Sequence, residues 1–155
     1  MQHWLTTHWP NLRLRPHQPA IYVQAGNVSK YTMKPGDQVL IYEFKNGPTV
    51  IDPVTGNRLF RAPGAEAIIA AIEIVGPLAQ RLASAALESY VGRPSINWKW
   101  QAMTKLVATG KVPRVDVNKV LGYATKYNFH GFGPNACGFQ VIAQPKFAAL
   151  RARLH

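Results

Sequence analysis

Cysteine is nearly absent from this sequence. Among its 155 residues Cys137 is the only one, which excludes an intramolecular disulfide framework and a thiolate-rich zinc site. Acid is scarce as well: seven Asp and Glu stand against 18 Lys and Arg, a formal net charge of +11 with a pI of about 10.2. No apolar run approaches the ~20 residues that a membrane helix needs. The opening stretch, MQHWLTTHWPNLR, lacks the basic-then-apolar order of a signal peptide. A GxGxxG fingerprint, a Walker-type phosphate loop, a repeat and a low-complexity tract are all missing. Together these absences predict a cytoplasmic chain in a reducing compartment, with no membrane span.

What is present fits one domain spanning 1–155, because domains most often run to roughly 100–150 residues. Apolar residues make up 47%, an ordinary globular share. The positive charge is unevenly spread. Residues 1–98 carry nine Lys and Arg with six Asp and Glu, whereas residues 99–155 carry nine with Asp116 alone. Such a field favours a polyanion, with nucleic acid first and an anionic membrane surface second.

Short strands joined by Pro/Gly turns dominate the pattern. Ala20–Gln24 reads as a strand. Met33-Lys34-Pro35-Gly36-Asp37 reads as a turn that launches a strand over Gln38–Phe44. Val39, Ile41 and Glu43 alternate there with Leu40, Tyr42 and Phe44, so both faces are largely apolar and the strand is expected to be buried on both sides. Thr49–Ile51 and Arg58–Arg61 suit a hairpin across Pro53–Gly56, an insertion within 45–65. The run EAIIAAIEIVG, rich in β-branched residues, predicts a long strand ending at Gly76. Leu78–Tyr90 has helical spacing. Ile96–Val107 alternates and predicts a strand. A short helix over Val117–Gly122 would be capped by Asp116, Phe139–Ile142 reads as a strand, and a last helix opens at Gln144-Pro145 with Phe147, Leu150 and Leu154 on one face. Strands that follow one another without intervening regular helices predict an α+β fold: a mixed, barrel-like sheet of about five or six strands with small flanking helices.

Aromatics interleaved with cations are the main chemical signal. Trp98 and Trp100 share one strand face, with Lys99 on the other, and stacking a base on an aromatic contributes ~1–3 kcal/mol. The alternative for each indole is a place in the core. Trp4 and Trp9 are further candidates. Asn27 offers a donor and an acceptor to a base edge, or serves as an N-cap. Glu43 would accept from a cytosine amino group, or pair with Lys45. Asn97 and Gln101 flank the tryptophans. Phosphate contacts are expected from Lys99, Lys105, Lys111, Arg114, Lys119 and Lys126, a run opposed in sequence only by Asp116; the alternative is a solvated face. Arg13 and Arg15 form a second basic edge.

Catalytic patterns are thin. Glu43-Phe44-Lys45 supplies half of a metal-dependent nuclease motif, but Asp37, the preceding acid, belongs to a turn. Cys137 with His130 lacks an orienting third group, and His3 and His8 lack the acids of a metal site. No cofactor and no metal is expected.

Several of these residues also carry a resemblance. Gly26-Asn27, then Lys34-Pro35-Gly36-Asp37 before the strand Val39–Glu43, then the strand ending Glu73-Ile74-Val75-Gly76, together with Trp4 in the first strand and the Trp98/Trp100 strand near a closing helix, resemble the EVE domain of the PUA-like superfamily, which is related to YTH domains. The resemblance implies a PUA-like pseudo-barrel that holds one flipped, modified base in an aromatic pocket. Modified cytosine in DNA is the base that EVE members are associated with, and methylated adenine in RNA that of YTH members. Carried onto this chain, the pocket would draw on Trp4, Trp9, Asn27, Tyr42, Glu43, Trp98 and Trp100. The expected function is a non-enzymatic nucleic-acid-binding module, with DNA preferred over RNA as partner, a nucleoid association if DNA is bound, and any effector being a separate protein. The alternatives from other classes are a small metal-dependent nuclease or another RNA-acting enzyme on the same fold, and a structural RNA-associated basic protein. Oligomeric state is left open by the sequence.

Overall fold

The computed structural model describes residues 1–8, 20–23, 32–80, 100–122 and 139–155. Nine strands and two helices lie within them: β1 (His3–His8), β2 (Ala20–Val23), β3 (Gln38–Glu43), β4 (Asn46–Ile51), β5 (Arg58–Pro63), β6 (Ala67–Ile74), β7 (Ala79–Gln80), β8 (Trp100–Pro113), α1 (Arg114–Leu121), β9 (Phe139–Val141) and α2 (Gln144–Arg151).

Seven strands form one mixed sheet in the order β2-β8-β6-β3-β1-β9, with β7 also on β8. β1 and β3 run parallel, and every other pairing is antiparallel. β4 and β5 pair only with each other. The α+β architecture expected from the sequence is therefore present, with the inserted hairpin a separate ribbon.

β3 sits centrally because both its faces are apolar. Val39 and Ile41 enter a core with Trp4, Met33, Ala70, Ile72, Ile74 and Ala102 on one side of the sheet. Leu40, Tyr42 and Phe44 enter the other, under the helices, with Leu5, Ile68, Val112, Val117, Phe147 and Leu150. Each fully buried side chain of this size contributes roughly 1.5–3 kcal/mol. The turn before β3 forms as its residues dictate: Gly36 adopts φ +93, and its N–H donates to the Ile74 carbonyl at 2.7 Å.

β8 departs from the reading of Ile96–Val107. It runs on to Pro113, six residues further, because β6 offers a ladder along its whole length. Ala71 pairs with Ala108 and Ile72 with Leu106, so Val107 is an extra residue in β8. A bulge of this kind reverses the facing of the strand. Ala102 accordingly packs in one core, and Ala108 and Val112 in the other. Gly110 lies under the C-terminus: a Cβ there would meet Leu154 Cδ2 at 3.0 Å.

Two helix assignments are corrected. α1 begins at Arg114, and Asp116 is not its cap: Pro113 holds the N-cap position without a side-chain bond, while the Arg114 N–H donates to the Glu66 carbonyl at 3.1 Å. Asp116 acts through its charge in the first turn and pairs with Arg153 at 2.9 Å. The helix read from Leu78 does not start there, because Ala79 and Gln80 pair with Gln101 and Trp100 as β7; its residues from 81 on lie outside the described ones. α2 matches its expectation, with Pro145 in the first turn and Phe147 and Leu150 buried.

Candidate nucleic-acid interface

The four described residues of the expected base pocket, Trp4, Tyr42, Glu43 and Trp100, are spread over both faces of the sheet. Trp4 is 1% exposed. Its indole Nε1–H donates to Asp37 Oδ2 at 3.0 Å. The same carboxylate accepts from the Gln2 N–H through Oδ1 at 2.9 Å and from the Lys34 N–H through Oδ2 at 3.0 Å. Trp4 thus stands in the core with its polar edge taken, the alternative offered for each indole. Burial acts to raise the Asp37 pKa, but the three N–H donors and the nearby N-terminal charge outweigh it and hold the carboxyl below its ordinary 3.8.

Tyr42 is on the other face. It is buried against Phe44, ring centroids 6.2 Å apart in an edge-to-face arrangement, within the helix-side core. Burial pushes its hydroxyl pKa far up, and the Glu66 charge adds to that while Arg114 opposes it. Alternation along β3 separates Tyr42 from Trp4 by the thickness of the sheet, which corrects the expectation that they line one pocket.

Glu43 shares the Trp4 face by alternation, but lies four residues further along, about 13 Å. It is 1% exposed, and its Oε1 accepts from the Ala65 N–H at 2.9 Å. β1 and β3 end together in parallel, with His8 in register with Glu43. The nuclease pattern does not assemble around it. Asp37 and Glu43 stand at opposite ends of β3, about 20 Å apart, and no group of three metal-ligating side chains occurs among the described residues. Trp100 is half-buried at the start of β8, on the face of Ala102. Trp9, Asn27, Asn97, Trp98, Lys99, Lys126, His130 and Cys137 lie outside the described residues, as do Arg13 and Arg15.

The basic track is changed by acids that sequence proximity does not reveal. Lys105 Nζ lies 2.8 Å from Glu73 Oε2, its cross-strand partner on β6. Arg114 Nη1 lies 2.9 Å from Glu66 Oε1. Asp116, the only acid near these cations in sequence, pairs with Arg153. Exposed Lys111 and Lys119 have no ion pair among the described residues, and the same holds for exposed Lys34, Lys45, Arg58 and Lys146, which are not among the expected phosphate contacts. Glu66 is the one non-glycine with positive φ, +50, among the described residues. It bonds α1 through its carbonyl and Arg114 through its side chain, and so fixes the junction where β5 gives way to β6.

No family model matches the chain, and no characterised protein matches it in sequence. Solved structures do match in shape. Rpa0253 from Rhodopseudomonas palustris superposes with a TM-score of 0.57 at 12% identity, covering 99% of this chain and 92% of that one. A mutant of the ASCH protein of Zymomonas mobilis gives 0.56 at 8% identity, covering 99% and 97%. Human THYN1, in complex with DNA containing 5-methylcytosine, gives 0.54 at 16% identity, covering 99% and 98%. The fold is PUA-like. At these identities the likeness concerns the fold alone. No helix among the described residues is long and apolar enough to cross a membrane.

Proposed function

We propose that this chain is a nucleic-acid-binding module of the EVE type, which grips a backbone electrostatically and reads one flipped base, a modified cytosine in DNA. The observation that carries the reading is the division of charge. All six described acids are committed: Asp37 and Glu43 are buried, Glu66, Glu73 and Asp116 are ion-paired, and the Asp52 carboxylate accepts turn N–H groups. Six exposed cations (Lys34, Lys45, Arg58, Lys111, Lys119 and Lys146) have no acidic partner among the described residues, so their charge faces solvent. That surface suits phosphate, and on the same fold human THYN1 is the protein seen with 5-methylcytosine DNA. Trp98 and Trp100 supply the stacking surface.

An array of modified and unmodified oligonucleotides tests the reading. Binding should prefer one modified cytosine and quench tryptophan fluorescence, with core-bound Trp4 as an unquenched background. Trp98→Ala with Trp100→Ala should remove the preference while leaving the salt dependence in place. Equal binding of all bases, or an unchanged preference in the double variant, would overturn the pocket. Cleavage of plasmid or RNA with magnesium, lost in Glu43→Gln, would replace the reader by the nuclease.

A further inference from the structure

The hairpin β4–β5 stands apart from the main sheet. Its strands pair with no other strand, and a lone two-stranded ribbon is marginal in water unless something stabilises it. Here both its root and its tip are fixed. At the root, the buried Glu43 carboxylate holds the Ala65 N–H, the Gly64 N–H donates to the Lys45 carbonyl at 2.6 Å, and Glu66 is tied to Arg114. At the tip, Asp52 Oδ1 accepts from the Val54 and Thr55 N–H groups at 2.8 and 3.4 Å, and Thr55 Oγ1 accepts from the Asn57 N–H at 3.2 Å. The Asp52 and Gly56 N–H groups donate across the turn to the Asn57 and Asp52 carbonyls, both at 2.9 Å, with Gly56 at φ +73. The strands are six residues each, so the arm is about 20 Å long.

What this braced turn presents is apolar. Residues 53–59 are all exposed. Val54, 90% exposed, is the most exposed large apolar side chain among the described residues; it follows Pro53, and Leu59 is 57% exposed. The flanks are cationic. Segment 45–61 carries Lys45, Arg58 and Arg61 against Asp52, whose charge is taken up by the turn. A two-stranded ribbon with exposed Lys45 and Arg58 beside an apolar, hydrogen-bonded tip has the shape that enters a duplex groove and the chemistry that separates a base step.

We propose that the β4–β5 arm is the wedge of this protein: Pro53 and Val54 enter duplex DNA and occupy the gap left by the base that is extruded. This rests on the base-reading function proposed above. A pocket alone must wait for spontaneous unpairing, whereas a wedge offsets the lost stacking with apolar contact. The partner of such a wedge is a duplex, since a single strand has no gap to fill.

The test uses Pro53→Ser with Val54→Ser in the full chain. Both side chains are exposed and the Asp52 bonds go to backbone N–H groups, so the melting temperature should be unchanged. Affinity is measured on three forms of one sequence: matched duplex, duplex mismatched at the target base, and single strand. The expected result is a loss of about tenfold or more on the matched duplex, a smaller loss on the mismatched one, and none on the single strand. Fluorescence of 2-aminopurine beside the target should rise with the wild type and stay flat with the variant. An equal loss on all three forms would make the tip a plain contact and overturn the wedge. So would an unchanged affinity, or a nucleic-acid-free dimer that the variant dissolves, in which a second copy covers Val54. A wild type that binds no nucleic acid would remove the base-reading function itself, an outcome separate from any of these.

Discussion

Asp37→Ala is expected to lower stability by roughly 3–5 kcal/mol, because it removes one acceptor from three N–H donors. The Gln2 and Lys34 N–H groups are near enough to the surface to find water. The Trp4 Nε1–H is not: at 1% exposure it is left in a sealed apolar core with nothing to accept its proton. For a chain of this size each 1 kcal/mol moves the melting midpoint by roughly 2–4 °C, so the shift should be about 6–20 °C. Trp4→Phe should cost less, about 1–3 kcal/mol, since the carboxylate keeps its two backbone donors. The double variant should fall short of the sum, which a mutant cycle in chemical denaturation would read. Acid provides the second check. The folded pKa of Asp37 is depressed, so its stabilisation is complete above the ordinary 3.8 and is lost as pH falls through the folded value. The gap between wild type and Asp37→Ala should therefore be constant at neutral pH and narrow below pH 3.8. A gap under about 1 kcal/mol at pH 7 would show that the network is not what anchors the turn to β1.

The pieces of this fold that were legible in the sequence are those fixed by neighbours in the chain. Gly36 needed positive φ, Val39 to Phe44 alternate between two cores, the isoleucines of β6 favour a pleat, and Pro53 to Gly56 close a hairpin. Each is decided within a few residues. The parallel pairing of β1 with β3 is not, because no local signal says which strand lies beside His3. The bulge at Val107 is hidden too, and with it the face on which the far half of β8 is buried. The same limit governed the candidate site. Alternation sets Tyr42 with Leu40 and Phe44, opposite Val39 and Ile41, yet the pocket that the resemblance implies runs through both faces, because a resemblance groups residues by type and order and carries no register. The acids of β6 were overlooked as partners for Lys105 and Arg114 for a similar reason: Glu73 lies 32 positions from Lys105 in the chain and directly across the ladder in space.

That redistribution of charge decides where a reversal should hurt. Lys111→Glu with Lys119→Glu is expected to weaken nucleic-acid binding roughly 10- to 100-fold at low salt, and to reduce the slope of log affinity against log salt by about 1.8 if both cations meet phosphate. Neither lysine is in an ion pair among the described residues and both are exposed, so the cost to folding should be small, limited to the like charge set near Asp116 and at the end of α1 by Lys119→Glu. Lys105→Gln should matter less. Its ammonium already faces Glu73, and an exposed pair of this kind is worth only about 0–1 kcal/mol, so the lysine is partly available but brings its acid with it. Arg114→Glu is the wrong probe: it would set a second carboxylate against Glu66 beside buried Tyr42 and disturb the fold before it reported on binding. The effect of the double reversal should be the same for every base at the target position, because phosphate contacts hold the strand without reading it. Titrations of modified and unmodified oligonucleotides across a salt series would show this directly. A slope identical to that of the wild type would move the backbone contact away from Lys111 and Lys119, toward Lys34, Lys45, Arg58 and Lys146, the other exposed cations without an ion pair among the described residues.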